Sequence, residues 1–455
     1  MGDDKAVPRP GAAAPPARTW APVFVWAVWA ATAIVGVVIV ARHARRYPYS
    51  NDWEIVDVVA GRRAFSLGWL WSQTAEHRLP FPRLVMWSLT SLDNGDFRIT
   101  MWLMLVLLAG FAAVAILTLH RVRGATAYSD AFFPLVLLAP FQGGLTWAFA
   151  FHFTSVALAS LGVLLIMFRF GLDAPSKWRW VAVALMVVLF GGGGPGLALL
   201  PGLLAWLVLT ARRLRTRDRR AAGWTLGAAG GFVVGVALYF VGFHRPAQPP
   251  ATVSGTVRIA LRLATGSGGP RTFDWWPITG VGVVVVLGAT ALMLVWRARS
   301  AESTPAERDR AVAVLCFGAA LVSLLAAFGL GRAAYAWTPD LVLQYSPLAI
   351  PGAVWVYVAW ADSGPRLRTG AGLVLLTGAL LVYVINIPTM RTVFADRARL
   401  EHTLTRDRCR LTPADLVERY PHALLVGPNA RERRDVARAI AAMRRHHLSG
   451  FDCGS

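Results

Sequence analysis

Long apolar runs recur along this chain, separated by short charged stretches, and that alternation predicts a set of membrane-spanning helices. No Asp, Glu, Lys or Arg interrupts residues 99–119, 181–211, 277–296, 311–331 or 370–390. Each run reaches the ~20 residues a helix needs to cross a bilayer. With the shorter runs included, about eleven spans are expected. They fall near 20–41, 99–119, 129–142, 146–168, 180–192, 195–211, 223–243, 277–296, 311–330, 347–361 and 370–389. The expected fold class is all-α, a polytopic transmembrane helical bundle. Two pairs of segments are joined by Gln142-Gly143-Gly144 and by Gly191-Gly192-Gly193-Gly194-Pro195. Backbone broken at membrane depth must be buried in protein or face a wet cavity. These joints are therefore either re-entrant elements bordering a cavity or tight hairpins at the bilayer edge.

Departures from the apolar pattern divide the chain. Residues 1–19 are rich in Pro and Ala and are expected to form a disordered cytoplasmic tail. Residues 20–389 form the transmembrane module, whose first outer loop, 43–98, is long, charged and rich in Trp. Residues 390–455 are expected to be a small water-facing extracytoplasmic segment with a helical pattern from Ala430 to Leu448. The run Trp20–Ala41 is too long for the apolar core of a signal peptide, and no small-residue cleavage site follows it. It is expected to be an uncleaved anchor and first span.

Composition agrees: 56% of residues are hydrophobic and 16% charged, with a mean hydropathy of +0.50, outside the range of soluble domains. The net charge of +21 would suit a nucleic-acid binder. However, Lys5 and Lys177 are the only lysines among 46 basic residues, and the arginines cluster at the ends of spans. That is a topology signal, and no nucleic-acid partner is expected. Arg121/Arg123, Arg169/Lys177/Arg179, Arg212 to Arg220, Arg297 to Arg310 and Arg366/Arg368 place their loops and the amino terminus in the cytoplasm. The 43–98 loop, the 244–276 loop and the carboxy-terminal tail then share the outer face. Cys409 and Cys453 sit at the two ends of the tail, and Cys316 lies alone in a span. A disulfide outside the cytoplasm and two separate thiols both fit this spacing.

Candidate chemistry concentrates in the first loop. Asn51-Asp52-Trp53-Glu54 opens a helix on the membrane surface, with Trp53, Trp69 and Trp71 suited to the interface. Either Asn51 or Asp52 caps this helix, with Glu54 closing a capping box, or Asp52 serves as a general base. Glu76-His77-Arg78 is followed by Pro80-Phe81-Pro82-Arg83. The prolines are expected to end one helix and start another, fixing the charged trio on a rigid corner. His77, Arg78 and Arg83 suit a phosphate group, or form a salt-bridged surface corner. Within the spans, Gln142 and His152 are expected to line the cavity, the alternative for His152 being a hydrogen-bonded structural role. Arg332, at the outer end of a span, holds a phosphate or snorkels to headgroups. No His-x-x-x-His, Cys-x-x-Cys or Asp-x-Asp metal motif occurs. A divalent cation, Mg or Mn, held by scattered outer-loop carboxylates is the one cofactor left open.

The stretches NDWEIVD, QTAEHRLPFPRL, TWAFAFHF and GGGGPGLALLP, set in this architecture, make the chain resemble a bacterial polytopic protein of the GT-C glycosyltransferase superfamily. The resemblance covers most of residues 20–390 as architecture and only those stretches as sequence. It implies a catalytic Asp in the first outer loop shortly after the first span, and Asp52 is the matching position. Many relatives carry an adjacent Asp-Glu pair, whereas here Trp53 separates Asp52 from Glu54. The resemblance further implies a polyprenyl-phosphate-linked sugar donor, an extracytoplasmic cell-envelope glycan acceptor, and inversion at the anomeric carbon, all in the bacterial inner membrane. Asp52 would be the base, Glu54 or Glu76 would orient the acceptor, and His77, Arg78, Arg83 and Arg332 would stabilise the departing phosphate. Two other classes fit the sequence: a transporter or flippase of lipid-linked glycans, and a non-catalytic membrane scaffold acting through the tail. The near absence of charge inside the spans disfavours ion-coupled transport.

Overall fold

A computed structural model describes residues 20–74, 76–145, 147–244, 250–334, 339–424 and 429–453. The segment 1–19, expected to be disordered, lies outside the described residues. The chain is a multi-pass helical membrane protein. Among the described residues, eight helices are long and apolar enough to cross a bilayer.

α1 (Ala21–His43) leads into the first loop, which holds α2 (Trp53–Val59), α3 (Leu67–Trp71), a hairpin of β1 (Gln73–Thr74) and β2 (His77–Arg78), and α4 (Pro80–Leu92). α5 (Arg98–Arg123), the short α6 (Phe132–Leu137) and α7 (Phe151–Phe170) follow. Next come α8 (Ser176–Gly191), α9 (Gly194–Leu214), α10 (Arg219–Tyr239) and α11 (Val253–Thr265). α12 (Ile278–Arg299), α13 (Pro305–Arg332), α14 (Pro339–Ala361) and α15 (Pro365–Asp407) complete the bundle. The tail adds α16 (Pro413–Arg419), α17 (Pro421–Leu424) and α18 (Ala430–Arg445).

α7 is the axis, with nearly every residue buried, whereas α1, α10, α12 and α15 form the perimeter. The perimeter helices expose Val37, Val233, Val285 and Leu381. In water these would form large unfavourable apolar patches; against lipid tails they are at home. Inside, helices approach closely where side chains are small. A Cβ on Gly202 of α9 would lie 2.3 Å from Ala320 N and Cys316 O of α13. Backbone cannot retract as a flexible side chain can, so Gly202→Ala should force α9 and α13 apart and destabilise by about 1–3 kcal/mol. A thermal melt in detergent checks this.

The charged loops sort to two ends. At one end Arg213 pairs with Asp309 (3.2 Å), Arg217 with Asp173 (3.2 Å), and Asp362 with both Arg297 (2.7 Å) and Arg310 (2.5 Å). These contacts join the α7–α8, α9–α10, α12–α13 and α14–α15 connections, the loops that carry the arginine clusters. The first loop, the 240–277 connection and the tail gather at the opposite end.

Three expectations about segments change. The 244–276 connection is not simply a loop, since it contains the amphipathic helix α11, which buries Ile259 and Leu263. The tail is not a free appendage but is docked on the first loop. The boundary at 389/390 falls inside α15, a single helix of 43 residues that carries Pro388 and runs on into the tail. At 1.5 Å per residue such a helix spans roughly 65 Å, about twice the hydrocarbon thickness of a bilayer.

The docking is polar at its rim and aromatic at its centre. Trp53 Nε1–H donates to Leu424 O (3.2 Å), Arg45 Nη1 donates to Ala423 O (3.2 Å), and Ser449 N–H donates to Asn94 O (2.8 Å). Phe451, fully buried, packs against Tyr47 and Trp53. Of the two readings of the tail cysteines the structure has the disulfide, Cys409–Cys453, with Cα atoms 5.5 Å apart.

Candidate functional site

The first loop is built around a two-residue hairpin. Ser66 caps α3 by accepting Trp69 N–H (3.1 Å), and the chain then turns into β1. Gln73 pairs with Arg78 and Thr74 with His77, antiparallel. Alternate residues of a strand face opposite sides, so Gln73 and Arg78 share one face while Thr74 and His77 share the other. Pro80 occupies the first turn of α4, where its missing N–H leaves no helical hydrogen bond unmade. Pro80 and Pro82 therefore start a helix as expected, but a hairpin, not a helix, precedes them.

The glycine run lies directly beneath this hairpin. Gly193 has φ +73°, and a Cβ there would sit 2.8 Å from Leu79 Cδ2 and 3.1 Å from Arg78 O. A Cβ on Gly194 would lie 3.1 Å from His77 Nδ1. The α8–α9 break is thus a close approach of two backbones, and only glycine supplies both the torsion and the space.

Above the break a cavity of about 430 Å³ opens, lined by Glu76, His77, Gly194, Pro195, Arg332 and Tyr345, with Phe240, Phe243 and Phe328 among its apolar walls. Arg332, at the end of α13, is ion-paired with Glu76, and its guanidinium lies 6.0 Å from the Tyr345 ring. Glu76 Oε1 is also 3.7 Å from His77 Nε2. Burial, and then the Arg332 charge, push the His77 imidazole down to about 4. At neutral pH His77 is therefore an uncharged donor and acceptor rather than a cation. Leu324 lines both this cavity and an apolar one of about 550 Å³ walled by Val286, Leu321, Val356 and Val382.

The remaining expected site residues lie around this cavity, not in it. Arg83, almost fully buried, donates through Nη1 to Trp69 O (2.8 Å) and Ser72 O (2.6 Å), and through Nη2 to Glu54 Oε2 (3.0 Å) and Thr74 Oγ1. Thr74 Oγ1–H in turn donates to Glu54 Oε2 (2.5 Å). Arg83 and Glu54 form a clamp that fixes the hairpin, and neither lines the cavity. Arg78 emerges on the hairpin's other face. It donates through Nη2 to Val241 O (2.8 Å), its backbone N–H donates to Tyr239 Oη (2.8 Å), and its guanidinium stacks over Trp71. It borders a separate, more open hollow with Trp71, Gln73 and His244.

Asp52 is 2% exposed and lines neither hollow. Its Oδ2 accepts Tyr49 N–H (3.1 Å), while Oδ1 is buried without a hydrogen-bond partner among the described residues. Burial pushes this carboxyl up to about 8; the Tyr49 N–H and the Arg45 charge offset it only in part, and Glu54 adds to it. Neither expected role appears as drawn: Asp52 makes no side-chain cap to α2 and Glu54 turns to Arg83 and Thr74, while the Asp52 carboxylate closes the turn Ser50–Asp52 by reaching back to Tyr49 N–H.

Gln142 and His152 require correction as cavity-lining groups. Gln142, 1% exposed, donates to Val136 O (3.0 Å) and accepts from Ser346 Oγ (3.1 Å), pinning the broken segment after α6 to α14. His152 is fully buried behind His77, ring centroids 5.6 Å apart, and donates through Nε2 to Gly192 O (2.7 Å). Because a carbonyl only accepts, Nε2 carries the proton, and the imidazole holds the glycine break in place beneath His77.

The aromatic wall was not foreseen as part of the site, although YFVGFH at the end of α10 is a visible aromatic cluster at a span terminus. Among the described residues, no group of three or more His, Cys, Asp or Glu side chains converges to hold a metal ion. No known protein family, curated protein or solved structure matches the chain.

Proposed function

We propose that this protein is a membrane-embedded glycosyltransferase of the GT-C type, moving a sugar from a polyprenyl-phosphate donor to an envelope glycan acceptor. The reading is carried by one observation: the cavity where Glu76, His77 and Arg332 meet an aromatic wall beside an apolar cavity. A lipid-linked phosphate needs this combination, a cation for the head and apolar space for the tail.

Glu76 takes the role of general base, because it is the carboxylate that lines the cavity. Glu76 is neutralised by Arg332. An arriving phosphate competes for that guanidinium and frees the Glu76 carboxylate to accept the acceptor hydroxyl proton. As the anomeric C–O bond breaks, charge develops on the departing phosphate, and Arg332 with the neutral His77 N–H is placed to stabilise it. Glu54 and Arg83 act by holding the hairpin. Asp52 acts through the turn that it closes at the loop start, and Arg78 serves the second hollow.

We further propose eleven crossings, with α6 and its broken continuation counted as one. Every second connection then reaches the arginine-rich end, which the positive-inside tendency places in the cytoplasm. The first loop and the disulfide-bonded tail face the opposite, oxidising side of a bacterial inner membrane, where disulfides persist.

Arg332→Gln tests the headgroup assignment. It should weaken binding of polyprenyl phosphate to the detergent-purified protein at least tenfold while leaving the melting curve in place. Unchanged affinity in a folded variant would remove the phosphate from this cavity.

A further inference from the structure

At the arginine-rich end, opposite the end that holds the Glu76 cavity, a cleft of about 170 Å³ opens between α8 and α10 over Leu207 of α9. Its lining is graded. Along α8 the cleft meets Ser176, Arg179, Trp180 and then Val183; along α10 it meets Asp218, Arg220, Trp224 and then Ala228. On α8 these fall at i, i+3, i+4 and i+7, and on α10 Arg220, Trp224 and Ala228 recur every four residues after the cap Asp218, so each set forms one stripe of its helix. Both stripes run from charged at the helix start, through an aromatic, to apolar. That is the profile of one phospholipid lying lengthwise, headgroup at the loop end and acyl chains toward the bilayer centre. Trp180 and Trp224 are 48% and 61% exposed, at the depth where indoles mark the lipid headgroup level.

The charge balance of the cleft is unmet by the protein. Neither α8 nor α10 has an acidic residue in its first turn, and α8 has no side-chain cap. The first turn of α8 carries Lys177 and Arg179 instead, both opposed by the positive end of the helix dipole. Arg179 is nine-tenths buried in the cleft, and among the described residues its side chain makes one hydrogen bond, from Nη1 to Ala174 O (2.7 Å), leaving Nε and Nη2 without a partner there. Asp218 is the one acid in the lining, and it is occupied in capping Ala221 N–H (2.9 Å). The neighbouring Asp173 is taken by Arg217 and Arg213.

We propose that this cleft is a binding site for an anionic phospholipid, whose phosphodiester sits against Arg179, Arg220 and the uncapped start of α8. Its chains lie over Val183, Leu207 and Ala228. The site is independent of the transfer reading, since it shares no residue with the Glu76 cavity and requires no activity.

Native mass spectrometry of the full-length protein, with added phosphatidylglycerol or phosphatidylcholine of identical chains, tests it. The wild type should retain one phosphatidylglycerol at least tenfold more tightly than phosphatidylcholine. Arg220→Gln, at an exposed position that leaves folding intact, and the double variant Arg179→Gln/Arg220→Gln should each reduce that preference. Arg299→Gln, outside the cleft, should not. Equal retention of the two lipids would overturn the proposal, as would equal loss in Arg299→Gln, which would mark diffuse surface charge. Displacement of the lipid by millimolar inorganic phosphate would assign the site to a free anion and also overturn it.

Discussion

On the proposed function, Glu76→Gln in the full-length protein reconstituted into liposomes should lower sugar transfer from a polyprenyl-phosphate donor by about 100- to 10,000-fold, the range that a positioned general base contributes. The amide keeps the size and polarity of the side chain but cannot accept the hydroxyl proton. It also frees Arg332 from its ion pair, so the lipid phosphate binds at least as tightly as to the wild type. The loss therefore falls on kcat, not on KM. Asp52→Asn in the same assay stays near the wild-type rate, because Asp52 lines neither hollow around the hairpin. The opposite ranking, transfer lost in Asp52→Asn and kept in Glu76→Gln, would return the base to the position that the superfamily resemblance implies.

Thermal stability in detergent falls as pH is raised from about 6.5 to 8, and Asp52→Asn flattens that fall. In the folded protein the Asp52 carboxyl is pushed up to about 8 by burial, whereas an unfolded Asp titrates near 3.9. Between these values the folded state holds a proton that the unfolded state releases. Its contribution to stability is complete below about 3.9 and is lost as pH rises through 8, by roughly 1.4 kcal/mol per unit. The groups facing Asp52 are Arg45, which opposes the shift, and Glu54, which reinforces it. His77 acts in the other direction. Its imidazole is pushed down to about 4, so its contribution is full above about 6.5 and lost as pH falls toward 4. Above 6.5 His77 no longer contributes, so His77→Gln should alter only the acid limb, and the Asp52→Asn difference reads the Asp52 share of the fall. Asn at position 52 still accepts Tyr49 N–H and carries no charge, so Asp52→Asn should melt several degrees above the wild type at pH 8. Parallel curves for the two proteins from pH 6.5 to 8 would show that Asp52 does not hold its proton when folded.

Much of the bundle was legible in the chain because a bilayer imposes a strict local rule. A span must be apolar over about twenty residues and satisfy its own backbone, and both conditions are written in consecutive positions. The arginine clusters likewise mark connections at one end, since the cost of moving charge through hydrocarbon acts on each loop separately. The glycine break before Pro195 and the charged Glu76–Arg83 element also stood out, each as a local departure from a regular pattern. What could not be read was which partner each departure meets. Gln73 and Arg78 are five residues apart in sequence and face one hollow, while His77, next to Arg78, faces another.

The two carboxylates make the division plain. Asp52 and Glu76 are both acids of the first loop. Sequence alone determined that a charged, aromatic loop follows α1 and that the bundle is helical, because those properties depend on neighbours along the chain. Only the tertiary structure decided that the tail folds back over the start of that loop and that α13 delivers Arg332 to Glu76 from more than 250 residues away. Burial and ion pairing are set by groups remote in sequence, and it is these that turn one carboxylate into a neutral group closing a turn and leave the other at the wall of a cavity.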